Sequence, residues 1–121
     1  MKLNTRFAVL AACGLLLVAC AQKERYGKID TAAPALQVKD VLLSGSYNGK
    51  DVRLNGTIVM QCASNGCWFF LDDGTGQMLV DLKGLGLGLG QRSGKKVLVS
   101  GTVILDQQGQ AMISAKGLEV S

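Results

Sequence analysis

Three features of this sequence predict an all-β domain, specifically a small five-stranded barrel. Apolar and polar residues alternate with period two from residue 51 onward, glycine is abundant (16 of 121 residues), and proline occurs once. Period-two alternation buries one face of a pleated strand. Glycine disfavours helix and suits tight turns. At 48% hydrophobic and 18% charged, the chain is too apolar for intrinsic disorder, and its length allows one domain.

The strands follow in order. In the first, Val52, Leu54, Ile58, Met60 and Cys62 share one face with Gly56, and Arg53, Asn55, Thr57, Val59 and Gln61 share the other. Residues 67–71 form the second, ended by the turn signal Asp72-Asp73-Gly74-Thr75-Gly76. Residues 77–82 form the third, with Met78, Val80 and Leu82 inward. Residues 96–105 form the fourth, with Val97, Val99, Val103 and Leu105 on one face. Gln107-Gln108-Gly109 turns the chain into a fifth strand over 111–120, with a bulge expected at Gly117. Residues 36–43 suit a short leading strand or a helix equally.

Five strands of this spacing, the first long and glycine-interrupted, resemble the OB-fold, a five-stranded Greek-key barrel. The resemblance covers 51–120. Gly56-Thr57-Ile58-Val59 and Gly101-Thr102-Val103-Ile104 hold equivalent places on the first and fourth strands, where glycine permits the bend that closes a barrel. The family commonly carries a helix between strands three and four. Here residues 83–90 alternate glycine with leucine, and each glycine costs about 1 kcal/mol in a helix. A loop or short turn is expected instead. Leu85, Leu87 and Leu89 are expected to plug the barrel's open end; the alternative is a mobile apolar lip touching lipid or a partner.

The first residues read as an address. Lys2 and Arg6 precede an apolar run over 7–19, too short for a permanent membrane span but suited to a secretory signal. The run ends in Leu17-Val18-Ala19-Cys20, which resembles the lipobox of bacterial lipoproteins. That resemblance implies cleavage before Cys20, lipid on its thiol, and a cell-envelope protein facing the periplasm. Ala21 at the next position resembles the pattern for outer-membrane sorting. The domains are then a signal peptide over 1–19, a lipidated tether over 20–35, and a barrel over 36–121. Of thirteen basic residues the mature chain loses Lys2 and Arg6, leaving eleven against nine acids, a net +2.

Cys62 and Cys67 remain, an even pair in an exported chain, where oxidation is the default. They flank Ala63-Ser64-Asn65-Gly66, a plausible hairpin loop. A register with Cys62 facing Cys67 pairs Met60 with Phe69, Ile58 with Leu71, Gln61 with Trp68 and Val59 with Phe70. A structural disulfide is the first reading. The alternative is a copper site in which both thiolates act with Met60, because soft sulfur ligands select Cu(I). A redox-active pair is a third, though the spacing differs from the two residues of thioredoxin-like motifs.

The run from Cys62 to Gly66-Cys67-Trp68, followed by Leu71-Asp72-Asp73-Gly74 and later Gly94-Lys95-Lys96-Val97 and Ser100-Gly101-Thr102-Val103, is similar to an uncharacterised bacterial OB-like family. That resemblance implies a fold, not an activity. The haem chaperone of cytochrome c maturation is also an exported OB barrel, but it attaches haem through a histidine, and this chain has none.

Trp68 and Phe70 fall on the outward face of the second strand, where OB-folds commonly bind. Packing against the tether or residues 36–43 is the competing expectation. Nucleic acid is not expected, since Asp72, Asp73 and Asp81 lie nearby and the address is extracytoplasmic. No histidine and no evident nucleophile–base pair argue against an enzyme. The sequence therefore predicts a lipid-anchored binding or assembly module without a cofactor, contacting the membrane and an envelope protein.

Overall fold

The computed structural model describes residues 23–64 and 66–121. The signal segment, Cys20 and the lipidation expectation lie outside the described residues. The chain forms β1 (Glu24–Gly27), β2 (Ala35–Leu36), helix α1 (Val38–Leu43) and a 3-10 turn over Gly45–Tyr47. Five long strands follow: β3 (Asp51–Gln61), β4 (Trp68–Asp72), β5 (Gln77–Asp81), β6 (Lys96–Leu105) and β7 (Ala111–Val120). A second 3-10 turn, Lys83–Leu85, lies between β5 and β6, where a loop or short turn is expected.

The five strands close on themselves. β3 pairs antiparallel with β4 and β6, β4 with β5, and β6 with β7, while β5 and β7 run parallel. The circuit is β3-β4-β5-β7-β6 and back to β3, the expected Greek-key barrel. β3 serves two partners by bending at Gly56-Thr57: Asp51 to Thr57 pair with β6, and Thr57 to Gln61 with β4. A Cβ on Gly56 would lie 2.7 Å from the Asp72 carbonyl oxygen, so the crossing requires glycine. On β7, Ser100 faces Gly117 and Gly101 faces Ala115, leaving Lys116 as the extra residue of a bulge beside Gly117.

The alternating residues fill the interior. Leu54, Ile58, Phe69, Leu71, Met78, Val80, Ile113 and Leu118 are essentially inaccessible. Each open end is plugged. Val38 and Val41 of α1 enter one end, and Leu82 and Leu89 enter the other, with Leu85 and Leu87 partly buried against them. The glycine–leucine stretch is a plug and not a lip.

Three expectations are corrected. The stretch read as a tether is largely part of the barrel: β1 pairs with β7 from Glu24–Val120 to Gly27–Gly117, and β2 pairs parallel with β3. β5 covers only the start of that edge of β7, so β1 satisfies the remaining backbone groups. Between them, Ser100 Oγ accepts the Asp30 N–H at 3.1 Å, and Arg53 Nε donates to the Ala33 carbonyl at 2.7 Å. Leu105 is half exposed, because the β6–β7 hairpin runs past the barrel. Met60 is also outside the core, for a reason that belongs to the site.

Candidate functional site

A bulge near the end of β3 rearranges the predicted cysteine hairpin. Ile58 faces Leu71 as expected, but the register then shifts, so that Met60 faces Phe70 and Gln61 faces Phe69. Val59 and Met60 both turn outward, Met60 with 57% of its surface accessible. Gln61 takes the inward place: its amide donates to the Gly90 carbonyl at 3.0 Å and its oxygen accepts the Arg92 N–H. The Cys62 N–H donates to the Trp68 carbonyl at 3.1 Å, so Cys62 faces Trp68 and not Cys67.

The two sulfurs still meet. Cys67 Sγ lies 3.5 Å from Cys62 Sγ, a thiol contact longer than the roughly 2.05 Å of a disulfide. Ser64 Oγ stands 3.7 Å from Cys62 Sγ. The hydrogen bond to Cys62, followed by burial, pushes the Cys67 thiol above its ordinary pKa. The loop is held firmly: Leu82 N–H donates to the Cys67 carbonyl at 2.8 Å, and Leu89 N–H to the Gly66 carbonyl at 3.0 Å. Among the described residues no group of three or more His, Cys, Asp or Glu side chains is placed to hold a metal.

Trp68 and Phe70 project from the outer face of β4, half-buried, with ring centroids 5.8 Å apart and planes at 80°. Such edge-to-face pairs are mutually stabilising. Asp81 and Leu79 of β5 lie directly across from them. Together with Met112 on β7 and Lys83, these residues line a shallow, mainly apolar cleft of about 280 Å³. The competing expectation, packing against the tether or residues 36–43, is not met: β1 runs along Gly117–Val120 of β7, and α1 docks on the β4–β5 turn, at the other end of β4. Leu79 and Met112 escaped the sequence reading, although Leu79 was legible as the outward residue between inward Met78 and Val80.

A second groove of about 620 Å³ is more polar, lined by Asn55, Thr57, Val59, Asp72, Asp73 and Lys96. Its acids serve structure. Asp72 accepts the Gly74 N–H at 2.8 Å, and Asp73 accepts the Val38 and Thr75 N–H groups at 2.8 and 2.9 Å. Burial alone would raise the Asp73 pKa, but these bonds, with one from the Thr75 hydroxyl, hold it below the ordinary value.

No protein-family model matches the chain, and no curated protein is similar to it in sequence. Solved structures do resemble it. The hypothetical protein YgiW from E. coli superposes with a TM-score of 0.57 at 17% identity, covering 77% of this chain and 100% of that one. A putative aspartyl-tRNA synthetase from Leishmania major Friedlin gives 0.59 at 12% identity over 91% of this chain, which spans 26% of that one. The fold is an OB barrel. In such barrels the second and third strands and the first loop form the usual contact face. Here those are β4, β5 and the Cys62–Cys67 loop, so the aromatic cleft lies on the OB contact face.

Proposed function

We propose that the protein is a lipid-anchored, non-catalytic binding module of the bacterial cell envelope. It takes an apolar segment of a partner protein in the cleft framed by Trp68, Phe70, Leu79 and Met112. One observation carries the reading: two aromatic rings stand edge-to-face outside a closed barrel whose interior is already filled, on the face where OB-folds bind. Lipid on Cys20 would place the module at the outer membrane, and a Cys62–Cys67 disulfide would fix the first loop beside the cleft. A photo-reactive residue at Leu79 in intact cells tests this. One discrete protein adduct, lost on Trp68→Ala, is the expected result. No adduct, or one indifferent to Trp68→Ala, overturns it, as does an adduct to nucleic acid.

Copper is the second reading, favoured by two sulfurs 3.5 Å apart in a half-buried loop with Met60 facing outward on the adjoining strand. Anaerobic Cu(I) titration of the reduced protein would then give one equivalent bound through thiolates. Loss on Met60→Leu would implicate the thioether.

A further inference from the structure

We propose that the end of the barrel nearest Cys20 is a docking surface for anionic phospholipid headgroups, so that the domain lies on the membrane in a fixed orientation. The proposal rests on Cys20 being the anchor. Cys20 and Lys23 are three residues apart, and consecutive Cα atoms lie 3.8 Å apart, so they are separated by at most about 11 Å whatever the path between them. β1 then begins at Glu24, already hydrogen-bonded to β7. No long tether intervenes, and this end of the barrel must sit close to the headgroups.

The chemistry of that end matches such a surface. The topology gathers there the start of β1, the approach to β6 and the end of β7: Glu24 faces Val120, and Ser121 N–H donates to the Lys96 carbonyl at 2.9 Å. Five basic residues, Lys23, Arg25, Arg92, Lys95 and Lys96, collect there against two acids, Glu24 and Glu119. Arg92 is matched by Glu24 through bonds of 2.7 and 2.8 Å. Lys23 and Arg25 share the single Glu119 carboxylate at 3.2 and 3.5 Å, which leaves one of those charges uncompensated. Lys95 and Lys96 are exposed and enter none of the ion pairs among the described residues.

The end at α1 carries no such excess, with Asp40 and Asp106 against Lys39 and Lys50, while Asp72 and Asp73 line the groove that Lys96 borders. The positive charge left unmatched by Glu24 and Glu119 thus lies toward the anchor, and its field turns that end toward an anionic leaflet. The acyl chains would supply retention, and the basic end orientation.

The described residues hold the whole closed barrel, so a lipid-free chain starting at Ala21 keeps the fold and can be tested with vesicles. It should sediment with phosphatidylglycerol-containing vesicles at low salt, leave them at high salt, and ignore phosphatidylcholine. Lys95→Glu with Lys96→Glu should lower the bound fraction about tenfold or more. Lys39→Glu with Lys50→Glu, at the far end, should not lower it. No binding to anionic vesicles, equal binding to neutral ones, equal loss in both double variants, or preferred capture of a single-stranded oligonucleotide at matched phosphate would overturn the proposal. Intact mass of the envelope protein tests the anchor separately. An acylated Cys20 without vesicle binding by the domain sinks the docking surface alone, whereas vesicle binding by a chain not acylated at Cys20 sinks only the anchor.

Discussion

The Asp73 carboxylate accepts the backbone N–H of Val38 at 2.8 Å, binding the first turn of α1 to the β4–β5 turn. One oxygen thereby closes one end of the barrel, because Val38 and Val41 are the residues that fill it. Thr75 Oγ1 accepts the next N–H, from Lys39, at 3.1 Å. The turn therefore caps a helix 35 residues earlier in the chain. Asp73→Ala should cost about 1 kcal/mol, in the range of lost helix caps, measured by urea denaturation.

The same bond sets a pH dependence. Asp73 has its pKa lowered in the folded state, so the carboxylate's contribution is complete above the ordinary aspartate value of about 3.9. It is lost as pH falls through the lower, folded value. Stability of the native protein should decline over that acid window more steeply than that of Asp73→Asn. Parallel profiles for the two proteins would remove Asp73 from this role.

Gly66 illustrates a constraint of contact and conformation together. Its φ is +56°, and an added Cβ would lie 1.7 Å from the Leu89 carbonyl oxygen. Gly66→Ala therefore strains the backbone and pushes on the plug at once. We expect a loss of about 2 kcal/mol or more, with the thermal midpoint as readout. An unchanged midpoint would mean that the Gly66–Leu89 contact is not maintained in solution.

The cysteine pair makes a separate prediction. If the two sulfurs close in the envelope, protein alkylated directly from cells should show no reactive thiol at either position, and reduction should lower its thermal midpoint. With the Cys67 pKa raised, Cys67 of the reduced protein should alkylate slowly at neutral pH. Alkylation of both thiols in protein denatured straight from the envelope without reductant would exclude the disulfide.

The barrel was legible in the sequence because alternation survives translation into structure: Val52, Leu54, Ile58, Phe69, Leu71 and Val80 all point inward as their spacing requires. Features that depend on a single residue's displacement were not. The bulge at Val59 exchanges the faces of Met60 and Gln61, and no composition signal marks it because both faces of the hairpin remain chemically coherent in either register. β1 was hidden for another reason. Its residues, Glu24-Arg25-Tyr26-Gly27, carry no apolar period, and the strand exists because β7 leaves an edge to pair. The outward aromatics were legible as a pair, whereas Leu79 and Met112 become their neighbours only through the β4–β5 and β5–β7 pairings.

The glycine–leucine stretch gives the sharpest mutational contrast. Leu89 keeps only 3% of its surface accessible and belongs to the core cluster, whereas Leu87 is partly buried at its margin. Truncating a fully buried leucine removes transfer free energy and leaves a cavity, typically costing about 2–5 kcal/mol. Leu89→Ala should fall in the lower half of that range, because the loop around it can partly collapse. Leu87→Ala should cost about 1 kcal/mol, in proportion to the smaller burial. For a domain of this size each kcal/mol lowers the thermal midpoint by about 4–8 °C, so the two variants should be separated clearly by calorimetry. Equal and small effects would return all three leucines to the surface and restore the lip; a large loss confined to Leu89 is what a plug requires.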